Sequence, residues 1–294
     1  MNSSIVRAPG KGSDAYRGYS RLDTLHLSLF DITFTSITPH SWQAKNVCSS
    51  YWRFYRNDAD GAELLLYGES GEKHPFALEA GESFLIPAGV RFDCLCEAPS
   101  VGHFYIHFEV SGLPGLFFRD HFNRPLCVPR SSGASEKSSG IAAEINTGEG
   151  KRTGDLALFC RAKSLLYDSL AASLRVADHE RYASHADLLE PVLPALEMIE
   201  KRLGESLANK LLAEACCISE DYFIRRFREG VGETPAHYIQ SRRLETAANR
   251  LLFSADSIER IADECGFGNR FHFTRVFTAR FAVAPAAYRK AGRV

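Results

Sequence analysis

Two triplets near the C-terminus carry the same chemistry twice: Phe223-x-Arg225-x-Phe227 and Phe273-x-Arg275-x-Phe277 lie 50 residues apart. Aromatic residues four apart share one face of a helix and seek a core, which turns the arginine between them outward. An outward guanidinium can form two parallel hydrogen bonds to a guanine edge. Beside the first arginine stand Ser219, Asp221, Ile224 and Arg228, and beside the second Asn269, Arg270, Phe271 and Thr274. Asparagine and threonine bond bases or phosphates, and Phe271 suits a thymine methyl. A solvated helix face is the ordinary alternative for one arginine, but the equivalent placement of Arg225 and Arg275 favours readers of DNA.

A second constellation lies in the N-terminal half. In HFYIHFEV, strand alternation puts His103, Tyr105 and His107 on one face and Phe104, Ile106 and Phe108 on the other. The mixed face, with Tyr67 and Cys94 from neighbouring strands, suits the wall of a small-molecule pocket, and histidines satisfied within a strand are the alternative. Cys94 and Cys96 share a face, where two thiols can sense redox state or simply pack.

The elements that must position these groups differ along the chain. LHLSLFDITF, WRFY, AELLLY, SFLIPAG and HFYIHFEV are short strand-like runs cut by Gly, Asn, Asp and Pro, which predicts a small β-barrel or sandwich. Residues 131–154 are rich in Ser and Gly without periodicity and read as a surface loop or linker. From Asp155 the pattern turns helical. Leu158, Ala162, Leu165, Leu166 and Leu170 form one apolar stripe, either core or a dimerisation face. Further helices are predicted over 188–203, 209–216, 220–229, 235–252, 257–265, 269–281 and 285–289.

The 50-residue shift also matches Pro235 with Pro285 and Tyr238 with Tyr288, and with one residue of slip Leu212-Ala213 with Ile261-Ala262. Two copies of one unit are present, each a short helix, a tight turn and a second helix: the helix-turn-helix, whose second helix can enter the major groove. Gly266 makes the second turn. Cys217 stands at the first, where a left-handed conformation is costly for a side chain. The helix over 235–252 is a spacer between readers about 34 Å apart, one turn of DNA.

Across 294 residues, 35 Lys and Arg balance 36 Asp and Glu, which argues against nucleic acid until the charges are located. From Tyr222 onward 13 basic face 7 acidic residues, a net +6, while the preceding part carries −7. The first residues hold no apolar run suited to a signal peptide, and no stretch suits a membrane span, so the chain is expected in the cytoplasm with its eight cysteines reduced.

The segment SIERIADECGFGNRFHFTRVFTARFAVAPAAYRK, Ser257 to Lys290, resembles the signature of the AraC/XylS family of transcription regulators, and the resemblance extends from about Leu189 to Arg289. Ala282 departs from the usual Gly and Ala284 from the usual Thr or Ser. The resemblance implies base-reading positions at Asp221, Ile224 and Arg225, and at Arg270, Phe271 and Arg275. GESFLIPAG and YIHFE are similar to strands of the cupin-like sensing domain that many members carry. Phe92 stands where a metal-binding cupin supplies a histidine, so no metal or other cofactor is expected.

The expected organisation is an α+β multidomain chain: a cupin-like barrel with an N-terminal arm (1–154), a connecting or dimerising helix and linker (155–186), and an all-α double helix-turn-helix domain (187–294). The implied function is a transcription regulator and not an enzyme, with promoter DNA, a small effector (a sugar is favoured), a second copy and, for an activator, RNA polymerase as partners. A cupin-type metalloenzyme fused to a DNA-binding domain and a thiol-based redox regulator are the alternatives.

Overall fold

The computed structural model describes residues 25–68, 70–111, 122–147, 155–176 and 188–291. The N-terminal arm, the linker over 177–187 and the end of the 131–154 stretch lie outside them.

Strands β1 (His26–Ile37), β2 (Val47–Cys48), β3 (Trp52–Asn57), β4 (Ala62–Tyr67), β5 (Lys73–Ala77), β6 (Ser83–Ile86), β7 (Arg91–Cys96), β8 (Val101–Ser111) and β9 (Leu126–Cys127) form the first half. Among the described residues they make two sheets, ordered β1-β8-β3-β6-β9 and β2-β7-β4-β5. The pairings are antiparallel and the sheets do not close on each other, so the expected barrel is corrected to an open two-sheet sandwich. Between the sheets lie Tyr55, Leu64, Phe84, Ile86, Phe92 and Cys94.

The loop expected over 131–154 is corrected as well. A 3-10 turn at Arg130–Ser132 leads into α1 (Ala134–Thr147). The segment is helical because Ala134, Ser138, Ile141 and Ala142 recur at helical spacing and face the core. Ser138 satisfies its own hydroxyl by donating to the Ala134 carbonyl at 2.6 Å. Helix α2 (Leu156–Val176) lies beside it, with the apolar stripe of Ala162, Leu165, Leu166 and Leu170 buried. That stripe covers the outer face of the five-stranded sheet, joining Phe54, Phe104, Ile106 and Phe108 in one core. The result is three layers, helix pair, sheet and sheet, and β8 is buried on its helix-facing side and mostly half-buried on the other.

After a 3-10 turn at Glu190–Val192, the second half contains α3 (Leu193–Lys201), α4 (Asn209–Ala215), α5 (Glu220–Val231), α6 (Pro235–Phe253), α7 (Ile258–Glu264), α8 (Arg270–Phe281) and α9 (Pro285–Ala291). Two cores build it. Phe223, Phe227, Leu212, Ala213 and Tyr238 belong to the first, and Phe273, Phe277, Ile261, Ala262 and Leu251 to the second. Helix α6 supplies both, Tyr238 and Ile239 to one and Leu244 to Leu251 to the other, and so joins the units.

The halves touch. Phe253 at the end of α6 stacks on Phe30 of β1 at 4.8 Å between ring centres and meets Tyr51 edge-on at 5.2 Å. Ser50 donates to Asn249 at 2.7 Å, and Arg242 reaches Glu109 of β8 at 3.1 Å.

Candidate nucleic-acid interface and inter-sheet polar face

Each helix-turn-helix is set by its turn. In the second, Gly266 takes φ +78°, the left-handed conformation that the sequence anticipates there, and Cys217 adopts the same region at φ +56° in the first. The second helices then begin on matching caps. Ser219 accepts from the Tyr222 backbone N–H at 3.4 Å, and Asn269 accepts from the His272 N–H at 2.8 Å. Both oxygens are therefore engaged by the protein itself, which makes these residues helix starters before they are DNA ligands.

On α5, Phe223 and Phe227 are buried while Asp221, Arg225 and Arg228 are exposed. Ile224 is half-buried and packs on the core of its unit. The Arg225 guanidinium lies 5.1 Å over the Tyr222 ring. On α8, Arg270 and Arg275 are exposed, Thr274 is half-buried, and Phe271 keeps 88% of its surface exposed. Together with Thr278 and Ala279 they line one open depression.

Ion pairing separates two kinds of arginine. Arg226, Arg242, Arg250 and Arg260 pair with carboxylates. Arg225, Arg228, Arg270 and Arg275 pair with none among the described residues. The cations expected to read DNA are among those left without a carboxylate partner within the described residues. An exposed phenylalanine beside two available guanidiniums offers an apolar and a cationic contact to a polyanion with methyl groups in its groove.

In the sandwich, His103, Tyr105 and His107 point between the sheets and stand opposite Asn57, Tyr55 and Arg53 of β3. His103 is 1% exposed, its Nδ1 lies 2.7 Å from the side-chain amide oxygen of Asn57, and its Nε2 has no partner among the described residues. Burial pushes its pKa down to about 3. His107 is also held well below its ordinary value, first by burial and then by the nearby Arg53 charge. Cys94 joins this interior; burial pushes its thiol up to about 12, so it stays protonated. Cys96 is buried on the same face of β7, with its thiol directed to the Ala98 carbonyl.

Tyr67 does not join this face. Alternation along β4 sends Leu64 and Leu66 inward and Tyr67 outward, where its hydroxyl donates to Asp93 at 2.9 Å beside Lys73. The residue that sequence reading missed is Arg53. It sits in the apolar run WRFY, whose alternation could have flagged it, because Trp52 and Phe54 share one face and Arg53 and Tyr55 the other. Among the described residues no group of three or more His, Cys, Asp or Glu is placed to hold a metal ion. No described helix is long and apolar enough to cross a membrane.

A family model described as a helix-turn-helix domain matches residues 212–291. The chain is 37% identical over 90 residues to an HTH-type transcriptional regulator of Mycobacterium tuberculosis, covering 31% of this chain and 32% of that protein. It is 34% identical over 99 residues to the HTH-type transcriptional activator RhaR of Pectobacterium carotovorum, 32% and 35% of the two chains. Against the Transposon Tn10 TetD protein of Escherichia coli, identity is 31% over 126 residues, 39% of this chain and 91% of that one. The chain thus spans about a third of the length of the first two relatives and nearly all of the third.

Proposed function

We propose, from the premise that this chain belongs to the AraC-type family of helix-turn-helix transcription regulators, that it binds promoter DNA through both units and adjusts that binding to a small molecule held in its N-terminal half. The observation that carries the DNA reading is the outer edge of α8, where Arg270, Phe271 and Arg275 are exposed and the two cations are unpaired among the described residues. Arg275 is the base reader and Arg270 a base or phosphate contact. On α5, Arg225 takes the equivalent place, with Arg228 on phosphate. Asp221 and Ile224 add little attraction for DNA, so sequence preference rests mainly on the second unit.

Arg275→Ala is expected to weaken binding to the specific promoter by about 1–3 kcal/mol and to relax base choice at one position. Footprinting with randomised half-sites measures both. Unchanged affinity together with unchanged preference would remove α8 as the reader.

The polar face that His103, Tyr105 and His107 make beside Cys94 supports a polar small-molecule effector. Regulation requires the effector to favour one arrangement of the two halves over another, since only differential affinity shifts a population. Such a regulator works in the cytoplasm, where promoter DNA is, and meets RNA polymerase there if it activates. The outer side of α2, where Leu156, Phe159 and Tyr167 are exposed, is the face proposed for pairing with a second copy.

A further inference from the structure

Arg53 is 4% exposed and carries a full charge between the two sheets. Its guanidinium donates to the Ser49 and Tyr51 hydroxyls, the latter at 3.3 Å, and lies 4.6 Å from the Tyr51 ring centre and 5.3 Å from that of Phe92. No carboxylate pairs with it among the described residues. Asp31, on the same sheet, accepts from Thr33 at 2.9 Å instead. A buried charge without a counter-charge is costly, and cation–π contacts with hydroxyl acceptors compensate only part of that cost.

The hydroxyls around it have spare capacity. Ser49 and Tyr51 each accept from Arg53, and neither gives its own proton to an acceptor among the described residues. One cation and two free O–H groups form a cluster rich in donors and poor in acceptors, the complement of an anion. Phe92 and Tyr55 supply aromatic walls beside it, and His107 stands opposite Arg53 on β8. Ser49 also lines a cleft of about 640 Å³ between the two halves, so the cluster lies next to an approach large enough for a small molecule. The same cleft is lined by Glu109, Glu200 and Glu245, which Arg242 pairs with, and their charge opposes an anion of higher charge.

We propose that Arg53, with Ser49 and Tyr51, anchors the carboxylate of a small monoanionic organic acid whose apolar body lies in the inter-domain cleft. This deepens the effector reading above and rests on it, replacing the sugar expected from the histidine and tyrosine face by an acid. The site is also placed to report. Tyr51 and His107 both touch the Phe253 ring, at 5.2 and 6.1 Å, so a ligand that moves either one disturbs the seat of α6 on the sandwich.

The test uses the full chain without DNA. Melting temperature is measured with millimolar hexanoate, cyclohexanecarboxylate and phenylacetate, each against its primary amide, and with inorganic phosphate. At least one acid is expected to raise the melting point by several degrees while its amide and phosphate leave it unchanged, because binding to the folded state alone stabilises it. Arg53→Met is expected to abolish the shift without lowering the melting point of the free protein, since it removes an uncompensated charge. Ser49→Ala and Tyr51→Phe, which delete one hydroxyl each, are expected to weaken the acid several-fold and keep the proposal testable should Arg53→Met fail to fold. No shift with any acid, equal shifts with the amides, or undiminished shifts in the hydroxyl variants would each overturn the assignment. Promoter binding by the same preparations reports on the DNA reading separately.

Discussion

At single residues, strain and titration make the sharpest predictions. Ala282 caps α8 in the left-handed region at φ +60°, where the equivalent cap of α5 is Gly232 at φ +83°. An L side chain there costs about 1–2 kcal/mol relative to glycine, set against the entropy that glycine loses on folding. Ala282→Gly should therefore stabilise the chain by about 0.5–1 kcal/mol, read as a higher urea midpoint at unchanged slope; a lower midpoint would show that the cap is not strained. His103 titrates near 6.5 when unfolded and near 3 in the fold. Between those values the unfolded chain binds a proton the folded chain refuses, so stability is full above about pH 6.5 and falls as pH drops through that window. His107 adds in the same direction. The urea midpoint should thus decline from pH 7 to pH 5, and His103→Gln, which can keep the bond to Asn57, should flatten that decline. An equally steep profile in the variant would place the proton uptake elsewhere.

Among elements, the ones legible in the sequence have a clear period and the missed ones do not. The strands of LHLSLFDITF, WRFY, AELLLY, SFLIPAG and HFYIHFEV appear as β1, β3, β4, β6 and β8, and α5, α6 and α8 begin within a residue of their predicted starts. Helix α1 was hidden because small residues, Ala134, Ser138 and Ala142, do the packing of larger ones, giving a polar composition over a helical face. Tyr67 was misplaced because alternation fixes the two faces of one strand but not which of them meets the neighbouring sheet. Arg53 was hidden by burial of both faces of β3, which makes the strand read as one apolar run. The tie between the helix-turn-helix units was equally invisible. Arg243 of α6 donates to the carbonyls of Leu203 at 2.8 Å, Gly266 at 2.9 Å and Glu205 at 2.5 Å, bonding the approach to the first unit to the turn of the second. Three carbonyls on one guanidinium fix an angle, and that angle sets how the second helices of the two units are held relative to each other. Arg243→Ala should cost about 1–3 kcal/mol of stability. It should also weaken a two-half-site promoter more than a single half-site in a gel-shift titration. Equal losses on both probes would mean that α6 alone holds the spacing.

For the whole molecule, the near-neutral charge divides at Tyr222, inside the helical half, into an acidic part before it and a basic part after it, and the two halves meet at one hub. The cleft there includes Arg280, Phe281 and Ala282, so the sandwich abuts the C-terminal end of α8 and leaves Arg270, Phe271 and Arg275 at the other end free for DNA. Contact between the halves therefore need not block the second reader; what it constrains is how the units are presented. At the hub, Arg242 bonds Glu200 at 2.9 and 3.0 Å, Glu245 at 2.8 Å and Glu109 at 3.1 Å, and all four side chains are largely buried. Only Glu109 belongs to the sandwich, and burial raises its pKa even though Arg242 opposes that shift. The two ends of this link should consequently differ in cost. Arg242→Ala removes the cation that three largely buried carboxylates share and should destabilise the chain by about 3–5 kcal/mol, the penalty for breaking a buried ion pair. Glu109→Gln leaves Arg242 two carboxylates and an amide oxygen, relieves a crowded negative site, and should change stability by less than about 1 kcal/mol. It should nevertheless loosen the halves, because it removes the charged bond that crosses between them while Phe253 and Ser50 still hold. Hydrogen exchange of the Phe253 end of α6 reads that loosening, and urea melts read the stability. If Glu109→Gln destabilised the chain as much as Arg242→Ala, or left exchange at that end unchanged, the hub would be a structural cluster rather than the joint between sensor and reader.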